Sequence, residues 1–420
     1  MSTPDQTTPA CVAAYNPVDP KELEDPFPSY NELRRAAPVF YNAQFDSWMV
    51  MRPEDILTMQ RDTASFSSKS IMSPQHPLPP EVVAVLGSDE IKLPTLLTTD
   101  PPDHARLRSL LNKGFSAQSI AAREPAVRAV ADELIDSFVG DGHAELMSQF
   151  AFPFTAIVIG DMLGVPRADN AQLKRWSDDW MTLIFALAPV EQLVEAAHGL
   201  MAFQRYFAEV MAERRAHPGD DVLSILIQAQ LDDGDRLSQE ELIAVPMQLI
   251  VGGHETTYFS IGNALALLLQ HPDDLQALRD DWSLLPQAIE ETIRYHSPLI
   301  TGRRQTTREV TLGGVTIPAD RAVQPMRAAA NRDETLFPDP DRFDIRRANA
   351  DRHTSFGRGG IHVCLGLALA RMELRVALER LLTRLPNLRF QPNDPPQRAH
   401  ALGFFGFKRL PLAWDAPGVA

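Results

Sequence analysis

Cys364 sits in the run Ser355-Phe-Gly-Arg-Gly-Gly-Ile-His-Val-Cys-Leu-Gly366, a glycine-rich loop ahead of aliphatic residues at helical spacing from Leu365 to Leu385. The chain holds two cysteines, and the other, Cys11, lies in a Pro/Thr-rich N-terminal stretch. A structural zinc site needs about four ligands, and a disulfide would have to use that stretch. Two readings remain: an inert buried thiol, or a thiolate kept for one purpose. A cysteine at a helix N-terminus feels the positive end of the dipole, which lowers its pKa. The thiolate is therefore the expectation.

A second group with chemical potential is Gly252-Gly-His-Glu-Thr-Thr257. It lies inside a long apolar segment opened by Ser238-Gln-Glu-Glu241, a capping box, and stopped by His271-Pro272. The segment spans about 32 residues, or roughly 48 Å of helix, so it should cross the core. Pro246 should bend its early turns. Two glycines cost about 1 kcal/mol each in a helix interior. They are explained either by close helix packing, with Glu255 reaching solvent, or by a local widening that opens a pocket where Glu255 and Thr256 handle protons.

Charged groups form two further sets. Glu291 and Arg294 stand three apart on one helical face, alone an ordinary ion pair. With the later Pro338-Asp-Pro-Asp-Arg342-Phe343 they suggest a buried three-member network. His104 and Arg108 share a face of a helix opened by Asp100-Pro-Pro-Asp. With Arg304, in an extended stretch after Ser297-Pro298, and His362, two residues before Cys364, they could converge on an anionic ligand.

The elements that must position these groups are mostly helical, with short Pro/Gly breaks from about residue 28 to 385. The 420 residues would allow about three domains by length, but no linker or internal repeat divides them. Residues 1–20 are expected as a disordered tail and 21–420 as one domain, large enough to enclose a cofactor. Forty basic against fifty-five acidic side chains leave −15, which argues against nucleic-acid binding. No apolar run reaches the roughly 18–20 residues of a membrane span, and Met1 to Ala14 lacks a signal-peptide pattern. A cytoplasmic protein is expected.

Four separated motifs together identify a relationship. Asp-Pro-Pro-Asp-His104, Gly-Gly-x-Glu255-Thr-Thr, Glu291-x-x-Arg294 and Gly360-x-His-x-Cys364-x-Gly366, in that order, resemble the soluble bacterial cytochromes P450, heme-thiolate monooxygenases. The resemblance runs from about Asp25 to Trp414. It implies the fold of that family, mainly α with small β-sheets, with heme b between the long central helix and the cysteine loop. Cys364 would be the axial thiolate, which favours O–O cleavage in this family. Glu255 and Thr256 would relay protons on the opposite side. His104, Arg108, Arg304 and His362 would hold the heme propionates. Glu291, Arg294 and Arg342 would form the structural triad behind the loop, with Arg332 as second choice for its third member. His254 is read as a packing residue. One departure stands out: eight steps, not the usual seven, separate Phe356 from Cys364. Glycines can absorb the extra residue, so Phe356 is still expected beside the thiolate.

The same resemblance places the substrate pocket among residues 66–97, Trp180 to Phe185, Gln248, Val251, Gly252, Leu299 to Thr301, Phe404 and Phe405. Most are apolar or aromatic, which suggests a hydrophobic, small organic substrate, aromatic ones included. Ser67, Ser68, Lys69 and Ser70 could instead clamp a carboxylate or form a solvated loop. Dioxygen would be the oxidant. Electrons would come from a separate ferredoxin and its reductase, docked on a basic patch drawn from Lys113, Arg358, Arg371 and Arg375. A peroxide-driven enzyme and a non-catalytic heme protein are the rival readings.

Overall fold

The computed structural model describes residues 9–185 and 187–416. Its axis is the helix Gln239–Gln270, 32 residues long, with Pro246 buried inside it. The capping box forms as the sequence predicts: Ser238 accepts from Glu241 N, and Ser238 N–H donates to Glu241 Oε2 at 2.8 Å. Nearly every residue from Ser260 to Leu268 is buried, because helices pack around the whole circumference there. The neighbours are Phe152–Leu163, Asn170–Phe185, Val190–Ala216, Leu285–Tyr295 and Leu367–Arg384.

Beside this helical body lies a five-stranded sheet. In spatial order its strands are Val39–Asn42, Ser47–Val50, Ala322–Pro325, Arg304–Thr306 and Phe66–Ser67. Ser47–Val50 runs parallel to Ala322–Pro325, and the other pairs are antiparallel. Three smaller sheets of two or three strands complete the framework. The large sheet matters for the site because it fixes Arg304 and Ser67 on adjacent strands.

Two differences from the sequence expectations arise here. Residues 1–8 of the expected tail lie outside the described residues. Residues 9–20 contain the helix Ala10–Ala14, and Cys11, Val12 and Tyr15 pack against the cluster of Phe27, Tyr30 and Phe40. Apolar side chains scattered in a polar stretch were enough to dock it. The central helix also stays α-helical through Gly252 and Gly253 rather than widening. A Cβ on Gly253 would stand 3.2 Å from Ile159 Cδ1, so this glycine serves close helix packing. A Cβ on Gly252 would meet nothing within 4 Å. It borders open space.

Candidate active site

That open space is a cavity of about 220 Å³. The central helix forms one wall through Gln248, Gly252, Thr256 and Ser260. The loop Ser355–Gly366 and the start of the last helix form another, through Phe356, Cys364 and Gly366. Cys364 and Thr256, 108 positions apart in sequence order, thus open on one cavity.

The loop is built on glycine geometry. Gly357 and Gly359 have φ of +73° and +90°, where a side chain is disfavoured. A Cβ on Gly360 would stand 2.6 Å from Gln60 O. The extra residue is absorbed in this turn, because Cys364 N–H still donates to Phe356 O at 2.9 Å. Phe356 lies on the cavity wall under the Arg371 guanidinium, 5.3 Å from its ring centre. The helix that follows begins at Leu367 with Gly366 as its cap. Burial pushes the Cys364 thiol up, opposed by a hydrogen bond from the Gly366 backbone and by Arg108, Arg327 and Arg371. The helix dipole alone would favour the thiolate, but the cost of desolvation prevails in this pocket. A cationic partner is needed to hold the sulfur as thiolate.

On the central helix, neighbouring residues face different ways, about 100° apart. Thr256 lines the cavity, and its hydroxyl donates to Gly252 O at 2.8 Å. Glu255 is buried on the other side, 3.6 Å from Lys174 Nζ, and Lys174 is itself paired with Asp178. Burial holds the Glu255 carboxyl up at about 7, against the pull of Lys174. The two residues are thus adjacent along the helix without sharing the cavity. His254 packs: its ring hydrogen-bonds Thr155 Oγ1 at 2.9 Å and meets Phe152 edge-on.

The cationic groups converge at one edge of the cavity. His104 and His362 stack edge to face, with ring centres 4.3 Å apart. Arg108 donates to Val363 O at 2.6 Å, Arg304 to Arg303 O at 2.8 Å and Arg327 to Thr301 O at 3.1 Å. These acceptors are carbonyls, and Asp100 is the carboxylate that partly offsets His104 and Arg304. His104 Nε2, His362 Nδ1 and Arg327 Nε are buried without any partner. Burial and the surrounding cations hold His362 down to about 3, and burial brings Arg304 and Arg327 down to about 10. An anion placed here would relieve all of these. Arg327 was missed by the sequence analysis; its only signal was a lone arginine in the apolar run Met326-Arg-Ala-Ala-Ala330. Ser67 and Ser68 neither clamp a ligand nor form a solvated loop. They are buried and hold Asp100, at 2.5 and 2.8 Å, at the start of the helix that carries His104 and Arg108. Ser68 also reaches His362 Nε2 at 2.9 Å.

A cysteine facing a wide cavity, a threonine opposite it and unpartnered cationic donors at the edge suit a flat anionic cofactor. The comparisons with known proteins agree. A family model described as Cytochrome P450 matches residues 88–410. The chain belongs to the cytochrome P450 family. It is 43% identical over 322 residues to cytochrome P450 107B1 of Saccharopolyspora erythraea, covering 76% of this chain and 77% of that one. It is 38% identical over 368 residues to vitamin D(3) 25-hydroxylase of Pseudonocardia autotrophica, covering 87% of each. Among solved structures, P450BioI in complex with hexadec-9Z-enoic acid ligated acyl carrier protein aligns with a TM-score of 0.83 at 32% identity, over 94% of this chain and 100% of that one. The protein is therefore an oxidoreductase with the P450 fold, and its family binds heme. The cavity of this P450 fits such a group: Gly252 and Gly366 both line it, and a Cβ on either would meet nothing within 4 Å.

Three sequence assignments in this P450 need correction: Arg342, Phe405 and Val251. Arg342 is exposed and offers only its backbone carbonyl to the network. The third member is Arg347, whose Nε donates to Glu291 Oε1 at 3.0 Å, beside the fully buried Glu291–Arg294 pair at 2.7 Å. Phe343, Ile345 and Arg347 are all buried, but they lie in an irregular segment of turns, where spacing does not single out Arg347. Arg332, the second choice, pairs with Asp341 instead. Phe405 is the second. It lies away from the cavity in the second core cluster, against Phe27 and His296 at 5.3 and 4.9 Å. Its neighbour Phe404 bridges Leu299, which does line the cavity. Phe405→Ala is expected to lower stability by about 3–5 kcal/mol, read by thermal unfolding, while leaving ligand affinity unchanged. Val251 is buried on the core side, one position before Gly252. Glu373 was also missed by the sequence analysis. Glu373 lines the cavity from the last helix, 1% exposed, and burial pushes its carboxyl well up against a hydrogen bond with Thr257.

Proposed function

We propose that this chain is a heme b monooxygenase that activates dioxygen and oxidises a hydrophobic small organic molecule. The observation carrying this reading is that Cys364 and Thr256 face one cavity whose edge gathers His104, Arg108, Arg304, Arg327 and His362. A bound heme would supply the oxygen chemistry there. Cys364 would give it a thiolate ligand, and the cationic edge, together with His104 and His362, would hold its propionates. Phe356 and Gly366 would cover the sulfur side.

Protons are the task of the central helix. Thr256 offers a hydroxyl inside the cavity, held by Gly252 O. Glu255 offers a carboxyl that keeps its proton to about pH 7 and is tied to Lys174 and Asp178. Because the folded protein raises this carboxyl, the protonated form is present below that value and is lost as pH rises through it. Product formed per dioxygen consumed is therefore expected to fall between about pH 6 and 8, and Glu255→Gln should remove that pH step. Thr256→Ala should keep dioxygen consumption while lowering product yield at least about tenfold, with hydrogen peroxide appearing instead.

The apolar walls from Leu96, Leu97, Leu249, Leu299 and Leu369 favour a hydrophobic substrate. A vitamin D(3) hydroxylase and a structure holding a fatty-acyl carrier are among the relatives, which is consistent with that class. Electrons would come from a separate ferredoxin and reductase. Of the proposed docking residues, Arg371 is paired with Glu290 and Arg375 with Glu124, which leaves exposed Lys113 and Arg358 as the free contacts. No helix among the described residues is long and apolar enough to cross a membrane, and a cytoplasmic setting fits the ferredoxin supply. The deciding test is the spectrum of the reduced, carbon-monoxide-bound protein, followed by turnover with ferredoxin and reductase against peroxide alone. A Soret band without the red shift of thiolate ligation would overturn the reading, and turnover on peroxide alone would replace dioxygen activation by a peroxygenase.

A further inference from the structure

Behind the cysteine loop, the helices Leu285–Tyr295 and Leu367–Arg384 are joined by one ion pair. Arg371 donates to Glu290 through Nε to Oε1 at 2.6 Å and through Nη2 to Oε2 at 2.7 Å. This two-pronged geometry fixes the plane of the guanidinium as well as its place. Held there, the guanidinium lies over Phe356, 5.3 Å from the ring centre. Phe356 O in turn accepts the Cys364 backbone N–H. The side chain of Arg371 is 38% exposed and that of Glu290 11%, so the pair is partly withdrawn from water. Against the burial that raises the Cys364 thiol, Arg371 is one of the cations that lower it.

Glu290 has a second neighbour. His353 Nε2 stands 3.3 Å from Glu290 Oε2. The Ser355 backbone N–H donates to His353 Nδ1 at 3.2 Å, which makes Nδ1 the acceptor and puts the ring proton on Nε2, toward the carboxylate. The His353 ring also lies 5.6 Å from that of Phe356. Burial raises the Glu290 carboxyl, but His353 and Arg371 together hold it down to about 2, so it stays a carboxylate. The anion that holds Arg371 is thus tied to the start of the cysteine loop. A link between two helices alone would need neither the histidine nor the aromatic ring under the cation.

We infer that Glu290 and Arg371 are positioning residues that set the potential at which a bound heme accepts one electron from its reductant: Arg371 is a favourable charge on the sulfur side, and Glu290 both holds it there and offsets it. This role presupposes the heme-thiolate reading proposed above. Reduction adds one negative charge at the iron, so a nearby cation raises the potential and a nearby anion lowers it.

Mediated spectroelectrochemical titration of the heme-loaded protein tests it. Glu290→Gln leaves Arg371 unbalanced and is expected to raise the potential by about 59 mV, a tenfold shift in a one-electron equilibrium. Arg371→Met leaves Glu290 unbalanced and should lower the potential by about as much. The Glu290→Gln/Arg371→Met double variant removes both charges and should return to within about threefold of wild type. Loosened packing would move both single variants the same way, and that result overturns the inference, as does the absence of a shift in both. Glu290→Asp keeps the charge and should stay within about threefold of wild type even where its melting temperature falls; a shift as large as that of Glu290→Gln counts against the pair. Should Glu290→Gln fail to retain heme, Arg371→Met set against Arg371→Lys decides: a lower potential in the first alone supports the inference, and equal potentials overturn it. The reduced carbon-monoxide spectrum of the wild type separates the two levels. An absent thiolate band sinks the heme-thiolate reading, whereas a normal band with unchanged potentials sinks only the role of the pair.

Discussion

Cys364→Ala is expected to abolish turnover, by at least about a thousandfold, which corresponds to a barrier raised by roughly 4 kcal/mol. Cys364 lines the cavity, and its thiolate would be the protein ligand of a bound heme. The loop itself should survive the change. Its closing bond runs from the Cys364 backbone N–H to Phe356 O, and its turn depends on the positive φ of Gly357 and Gly359. Alanine keeps all of that. The variant should therefore fold, with near-native far-ultraviolet circular dichroism, while the reduced carbon-monoxide complex loses the red-shifted band. An unchanged band in this variant would show that another group ligates the iron.

Arg294→Ala carries the largest expected loss of stability. The guanidinium is 0% exposed and donates to Glu291 Oε2 at 2.7 Å and Oε1 at 2.8 Å. It also donates to Asn331 O and Pro340 O, both at 2.9 Å, and to Arg342 O at 3.3 Å. Removing one partner of a buried ion pair costs about 3–5 kcal/mol, and the orphaned carbonyls add about 1 kcal/mol or more each. A total stability of about 5–15 kcal/mol would be mostly or wholly consumed, so the variant should be recovered unfolded or without heme. Arg347→Leu should be milder, since Glu291 keeps Arg294. Arg342→Ala should fall within about 0.5 kcal/mol of wild type, because only its backbone takes part. Thermal unfolding of the three variants checks the order. Equal losses at 342 and 347 would contradict the placement of Arg347 in the network.

The contrast between Arg342 and Arg347 explains how far the sequence can be read. Spacing within one helix is set by its 3.6-residue turn, so Glu291 and Arg294 could be paired from the sequence. The third member comes from an irregular segment, where no period fixes which arginine turns inward. The same holds for the cationic edge. His104 and Arg108 share one helix face, and His362 shares the loop of Cys364. Arg327 reaches the cavity from beyond the sheet and Glu373 from the last helix, and neither position follows from local spacing.

By itself the sequence determined the helical framework, the capping box at Ser238, the ion-pair helix and the order of motifs that marks a P450 with Cys364 at its centre. These are local properties, set by side-chain periodicity and turn chemistry. Only the tertiary structure decided that Thr256 faces the cavity while Glu255 is buried behind it, that Phe405 belongs to the core, and that burial outweighs the helix dipole at Cys364. Those outcomes depend on which surfaces of distant segments meet, and on the water they exclude when they do.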